Sequence, residues 1–102
     1  MRLSADYKDN VLYMRLSGEM DEHNAPQVRT QADKLADCYV KSERAVFDLG
    51  DVSFMDSTGI GFLIGRYKKF RRYGIPVYVM NPSMSTDRIL KMSGVYTLMP
   101  KL

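Results

Sequence analysis

The sequence predicts an α/β domain whose mixed sheet has about four to five strands, with helices packed on it. Segments of alternating apolar residues, typical of strands, take turns along the chain with segments whose apolar residues repeat at helical spacing. The resulting order is β-β-α-β-α-β-α-β, and such alternation favours a sheet with parallel members. The 102 residues, 45% hydrophobic and 26% charged, fit one globular domain covering residues 1–102.

The first two strands are expected to form a hairpin. Apolar and polar residues alternate over residues 3–7 and 11–16, and Lys8-Asp9-Asn10 between them is typical of a tight turn. Gly18 is expected to end the second strand. Residues 19–23 are then expected to form a polar, acidic loop.

A first helix is expected to begin near Asn24, whose side chain can cap the backbone amides. Pro26 suits its first turn, and Gln27 stands where a capping-box partner would. Cys38 lies beside its apolar stripe and is expected to be half-buried and inert. The stripe consists of Val28, Ala32, Leu35, Ala36 and Tyr39.

A third strand over residues 45–49 and a link over 50–55 are expected to lead into a second helix. This helix is expected to start around Asp56 or Ser57 and to end at Gly74 as its C-cap. Its apolar face is formed by Ile60, Leu63, Ile64, Tyr67 and Phe70.

The remaining chain predicts a strand, a helix and a last short strand. The strand covers residues 75–80, and the helix begins near Ser83 or Ser85 and is closed by Gly94. Residues 95–99 are expected to form the final strand.

Several function classes are excluded or disfavoured by composition. The longest strongly apolar run, residues 60–65, is far shorter than the roughly 18 residues that a membrane helix needs. The first six residues contain no hydrophobic signal segment, so we expect a soluble, cytoplasmic protein that does not contact membranes. One cysteine and one histidine cannot form an ordinary zinc site, and no phosphate-binding glycine loop is present. We expect no metal and no cofactor.

Charge is divided unevenly along the chain. Residues 1–65 carry seven Lys/Arg and eleven Asp/Glu (−4), whereas residues 66–102 carry eight Lys/Arg and one Asp (+7). Five of the cations in the second part lie within seven positions, and a cluster of this kind can bind nucleic acid. Cations also complement the dipole at a helix C-terminus, and a solvated charged face is the commoner case. A nucleic-acid-binding domain is therefore the alternative function. Its five clustered cations are Arg66, Lys68, Lys69, Arg71 and Arg72.

The segment from Asp56 to Gly61 lies where a strand-loop meets a helix. Asp56 or Ser57 can simply cap the helix. The first helical amides are expected to be unpaired there, so a phosphate on Ser57, or on Thr58 one residue deeper, would be tolerated. Gly59 and Gly61 are expected to leave the surface open to a partner. A hydrolase using Ser57 as nucleophile would need a base that the nearby sequence does not offer.

Three motifs resemble the STAS domain family of anti-sigma factor antagonists. The main one is residues 48–61, DLGDVSFMDSTGIG, extended by Gly65-Arg66-Tyr67-Lys68. The others are Leu16-Ser17-Gly18-Glu19-Met20-Asp21 upstream and Met92-Ser93-Gly94 downstream. The resemblance covers nearly the whole chain in family-like order and is strongest to the antagonists that control sporulation.

This resemblance implies a non-enzymatic binding module that switches partners. Ser57 would be phosphorylated by an anti-sigma factor that is also a serine kinase. The unmodified protein would bind that kinase and release the sigma factor, thereby promoting sporulation-specific transcription, and a serine phosphatase would restore it. No direct nucleic-acid contact is implied, and the free protein is expected to be a monomer. The implied partner-binding residues are Asp21, Glu22, His23, Asn24, Asp56, Ser57, Thr58, Gly59, Ile60 and Gly61.

One departure from the family pattern concerns the C-terminal end. The family usually continues through a further helix, whereas this sequence stops at Leu102, soon after the last predicted strand. We therefore expect part of one apolar face to be uncovered.

Overall fold

A computed structural model describes all residues from 1 to 102 and contains one four-stranded sheet with four helices. The predicted alternation of strands and helices is confirmed, apart from the final strand. The elements are β1 (Arg2–Lys8), β2 (Val11–Met20), α1 (Pro26–Cys38), β3 (Arg44–Met55), α2 (Ser57–Arg72), β4 (Val77–Met80), α3 (Met84–Ser93) and α4 (Val95–Leu98).

The strands lie in the order β1-β2-β3-β4. β1 and β2 form the predicted antiparallel hairpin, and β2–β3 and β3–β4 are parallel pairs. Asp9 and Asn10 both have positive φ (53° and 65°), the backbone of the tight turn that suits the twist of a hairpin.

Two strands are longer than predicted. β2 passes through Gly18 and ends at Met20, and β3 continues to Met55 instead of ending at residue 49. Shifts in pairing register between Arg15 and Ser17, and between Gly18 and Glu19, absorb the irregularity at the glycine. Because the two strands pair with each other to their last residues, the loops that follow them start side by side.

The core lies on one face of the sheet. Leu12 and Leu16 of β2 and Phe47 and Leu49 of β3 are fully buried there, as their alternation predicted. They belong to one cluster of 23 buried residues that also contains the buried faces of all four helices. Val46, which points to the opposite face, is buried but lies outside this cluster.

The helices follow their predicted stripes with two corrections. Val28, Ala32 and Ala36 of α1 are buried, but Asn24 does not cap this helix: the N-cap is Ala25, without a side-chain hydrogen bond. Cys38 is exposed rather than half-buried, because its position on α1 is turned to the side of the face that Val28, Ala32 and Ala36 bury. No helix is both long and apolar enough to cross a membrane.

The predicted last strand over residues 95–99 is wrong. Gly94 takes the left-handed conformation (φ 79°) and starts the short helix α4, which buries Val95, while Met99 just after it is also fully buried. Strand-like pairing begins later: the Val79 amide donates to the Pro100 carbonyl (3.0 Å), and the Leu102 amide donates to the Val79 carbonyl (2.9 Å). Leu98 and Leu102 remain exposed.

Asp87 ties α3 to the residues that follow it. Its carboxylate accepts a hydrogen bond from the Tyr96 hydroxyl (2.5 Å) and lies 2.9 Å from Lys101 Nζ and 3.1 Å from Lys91 Nζ. The hydrogen bond from Tyr96, followed by those from the two lysines, holds the pKa of Asp87 well below its usual range.

Replacing Asp87 should change how stability depends on pH. Since the pKa of Asp87 is lowered by folding, its contribution is present above the unfolded-state value of about 3.9 and is lost as the pH falls further. We expect Asp87→Asn to lower the urea midpoint of unfolding at pH 7. The midpoint of this variant should also fall less steeply than that of the wild-type protein as the pH is lowered, which urea unfolding from pH 7 to 2.5 measures. Asp6→Asn, an exposed residue of β1, is the control; equal pH profiles for both variants would contradict this role.

Candidate partner-binding site

The two segments predicted to bind a partner meet at the carboxyl ends of β2 and β3. Met20 and Met55 are paired in the sheet, and Asp21 and Asp56 directly follow them. The Asp56 amide donates a hydrogen bond to the Met20 carbonyl (3.3 Å). The sheet therefore places the acidic loop of residues 21–24 beside the start of α2.

Asp56 caps α2. Its backbone is extended (φ −118°, ψ −165°), and its Oδ1 accepts hydrogen bonds from the amides of Thr58 (2.9 Å) and Gly59 (3.4 Å). The expected start of this helix is confirmed, but the expectation that its first amides are unpaired is wrong for these two. Because Asp56 is the cap, the fold does not use the Ser57 side chain for that purpose, and Ser57 is exposed.

Asp21 organises the acidic loop. Its Oδ1 accepts hydrogen bonds from the amides of His23 (3.1 Å) and Asn24 (2.9 Å) and from Asn24 Nδ2 (2.9 Å). The backbone hydrogen bond from Asn24 is the main reason that the pKa of Asp21 is lowered. Glu22 and His23 are exposed, so the loop presents polar side chains to solvent around one buried turn residue, Ala25.

The two glycines of the segment have different roles. Gly59 is buried, and a Cβ there would lie 2.6 Å from Met55 Cγ and 3.0 Å from both Cβ and the carbonyl oxygen of Met20. The expectation that Gly59 leaves the surface open is therefore wrong, because it is the point of contact between α2 and the ends of β2 and β3. Gly61 is exposed, and a Cβ there would meet nothing within 4 Å.

The other residues of the predicted site differ in exposure. Thr58 and Ile60 are half-buried, and Ile60 packs against the core cluster. A groove that the sequence did not reveal lies beside Ser57, with Ile89, Met92 and Ser93 of α3 on its far wall. Ile89, Met92 and Ser93 share one face of their helix, but periodicity cannot tell which neighbouring element this face approaches.

The cationic cluster of α2 is partly used for helix packing. Arg66 Nε lies 2.8 Å from Asp33 Oδ1 of α1, and Lys69 Nζ lies 3.2 Å from Asp37. The Arg66 side chain is only 11% exposed, and its guanidinium lies 5.1 Å from the centre of the Phe62 ring. Two of the five cations thus hold α1 and α2 together, which favours the structural interpretation over a nucleic-acid surface.

The residues present do not form a metal centre or a nucleophile–base pair. No group of three or more His, Cys, Asp or Glu side chains is arranged to hold a metal ion. Asp56, the carboxylate nearest to Ser57 in sequence, accepts hydrogen bonds from two backbone amides.

Comparisons with known proteins agree with this architecture. The family model described as STAS domain matches residues 2–102. An anti-sigma F factor antagonist of Paenibacillus polymyxa is 35% identical, with 98% of this chain and 85% of that protein covered. An anti-sigma-B factor antagonist of Bacillus subtilis (strain 168) is 30% identical, with 93% and 86% covered. Among solved structures, the anti-sigma factor antagonist SpoIIAA in its unphosphorylated form has a TM-score of 0.78 at 22% identity, with 99% of this chain and 88% of that chain covered.

Gly59→Ala should destabilise the protein, because the methyl group of the alanine would have no room against Met20 and Met55. We expect a loss of about 1–3 kcal/mol of unfolding free energy, the usual cost of overpacking. Gly61→Ala is the matched control in the same helix, and it should stabilise by roughly 0.5–1 kcal/mol because nothing opposes the added methyl. Urea unfolding measures both changes, and a neutral Gly59→Ala would contradict the proposed close contact.

Proposed function

Since the chain belongs to the STAS domain family, we propose that it is an anti-sigma factor antagonist that is switched by phosphorylation of Ser57. The unphosphorylated form binds an anti-sigma factor that is also a serine kinase, and this binding releases the sigma factor. Phosphorylation by that kinase ends the interaction, and a serine phosphatase restores it. The regulated sigma factor directs sporulation-specific transcription.

One observation carries this proposal: an exposed serine lies at the start of α2, and its side chain is not used to cap the helix. Asp56 performs the capping that a serine often performs there, so the Ser57 hydroxyl is free to accept a phosphoryl group. The exposed Gly61, one turn further along α2, leaves the helix backbone accessible to a partner that approaches Ser57.

The acidic surroundings of Ser57 explain how a phosphate could end binding. A phosphoserine carries about −1.5 to −2 charge at pH 7. In an interface it would be desolvated next to the Asp56 carboxylate, while the amides of Thr58 and Gly59 already donate to Asp56. A penalty of roughly 3 kcal/mol weakens binding on the order of a hundredfold, and one mispaired interfacial charge can supply it.

The acidic loop extends the proposed interface. Asp21 holds the loop with one carboxylate oxygen, Oδ1. The pairing of Met20 with Met55 in the sheet brings this loop next to the start of α2. Glu22 and His23 project from the loop into solvent and are available to a partner. Nucleic acid has no part in this proposal, because Arg66 and Lys69 pair with α1.

Phosphorylation should occur on Ser57. After incubation with a sporulation-type anti-sigma kinase and ATP, we expect intact-mass measurement to find one added phosphoryl group, and peptide mapping to locate it on Ser57. Ser57→Ala should remain unmodified. Label on Thr58 in the wild-type protein, or no label with a kinase that modifies its own antagonist, would contradict the assignment.

Charge at position 57 should control affinity. We expect Ser57→Ala to bind the kinase about as tightly as the wild-type protein, and Ser57→Asp to bind roughly tenfold or more weakly, because its carboxylate lies next to Asp56. Titration calorimetry measures both, with unfolding curves as the control for folding. Equal affinities for all three proteins would refute the electrostatic switch.

A further inference from the structure

Three cations near the carboxyl end of α2 have no partner within the chain. Lys68, Arg71 and Arg72 are exposed and form no ion pair, whereas Arg66 and Lys69 of the same cluster pair with α1. Cations complement the helix dipole at this end. The edge of the sheet next to Arg71 gives that residue a further role.

A cavity of about 430 Å³ lies between Arg71 and the outer edge of β4. Arg71 is the only charged residue in its lining, which contains no carboxylate. The lining otherwise consists mostly of apolar and aromatic residues, among them Tyr67, Ile75, Pro76, Val77 and Leu98. The cavity therefore suits an anionic group attached to an apolar body.

The backbone groups of Val77 point out of the sheet edge into this cavity. β4 is the last strand of the sheet, and its Pro76 carbonyl accepts a hydrogen bond from the Ala45 amide of β3 (2.9 Å). Because successive residues of a parallel strand direct their N–H and C=O groups to opposite edges, those of Val77 and Val79 point away from β3.

Val79 and Val77 differ in what they meet at this edge. The Val79 amide and carbonyl pair with Pro100 and Leu102, whereas no residue of the chain pairs with those of Val77. Val77 is nevertheless only 1% exposed. Buried backbone groups without a partner cost free energy, and native proteins nearly always satisfy them, whether by protein, water or ligand.

We propose that this cavity binds an extended acidic segment of a partner protein. One residue of the segment pairs with Val77 and so adds to the edge of β4, and a neighbouring carboxylate of the segment pairs with Arg71. Lys68 and Arg72, on adjacent turns of α2, attract the acidic segment. The inference goes beyond the proposed function and does not depend on it.

The backbone of Val77 favours a peptide over a nucleic acid as the occupant. A residue in extended conformation presents one N–H and one C=O to the same edge, which complements the C=O and N–H of Val77. A phosphodiester linkage accepts hydrogen bonds but has no N–H to donate to the Val77 carbonyl. The charge of the cavity alone would suit either ligand.

The proposed docking surface is separate from Ser57. Ser57 begins α2 and Arg71 lies near its end, so the two residues are about 21 Å apart along the helix axis. A segment bound beside Arg71 therefore leaves the surface around Ser57 free for another partner.

Fluorescence anisotropy with the full chain tests the charge of the site. The probe is a labelled, end-blocked octapeptide of alternating glutamate and valine, compared with its lysine–valine counterpart and with single-stranded octathymidylate. We expect only the acidic peptide to bind. Arg71→Glu should weaken its binding about tenfold or more, whereas Arg2→Glu, at an exposed cation of the opposite edge strand β1, should stay within about twofold because salt screens distant charges.

N-methylation of the peptide tests the pairing with Val77. The N–H groups of the valines and those of the glutamates point to opposite edges of an extended peptide, so methylating one set should abolish binding and methylating the other should preserve it. In NMR spectra the Val77 amide should shift and exchange more slowly when the peptide binds. Ser57→Asp should bind the peptide as the wild-type protein does.

The inference is overturned if the acidic peptide does not bind, if octathymidylate binds more tightly, or if the two methylated peptides bind equally well. These results leave the proposed function untouched, because that function is measured with the kinase and with Ser57 variants. Conversely, a failure of the kinase to bind the protein would leave peptide binding at Val77 and Arg71 unaffected.

Discussion

The close contact between Gly59 and the ends of β2 and β3 determines the geometry of the whole site. A residue without a Cβ lets the first turn of α2 lie directly on Met20 and Met55. Because β2 and β3 are parallel and paired to their last residues, the acidic loop and the start of α2 leave the sheet at the same edge. Two segments separated by more than thirty residues thereby become one surface.

Within that surface, Asp56 and Asp21 stabilise the backbone, so the side chains next to them are not needed for that purpose. Each uses one carboxylate oxygen to accept backbone hydrogen bonds, which fixes a helix start in one case and a loop in the other. Ser57 is then exposed at the start of α2, where the proposed phosphorylation would change the charge of the surface. Such a switch needs no rearrangement of the core, since the charge acts at the surface itself.

Much of this could be predicted from the sequence, because local chemistry determines it. The hairpin turn at Asp9-Asn10, the start of α2 at Asp56 and the end of α3 at Gly94 depend on nearby residues. The errors arise where distant contacts decide the outcome. Pairing with β3 carries β2 through Gly18, and burial of Val95 and Met99 makes a helical turn where alternation favoured a strand. The groove between α2 and α3 was not foreseen for the same reason: it depends on how two helices meet.

The most direct test of the switch is release of the sigma factor. A fluorescently labelled sporulation sigma factor bound to its anti-sigma kinase would be titrated with this protein, and anisotropy would report the bound fraction. The unmodified protein should displace the sigma factor, whereas protein phosphorylated on Ser57 should need on the order of a hundredfold higher concentration, corresponding to roughly 3 kcal/mol. Equal displacement by both forms, or none by the unmodified form, would contradict an antagonist controlled at Ser57.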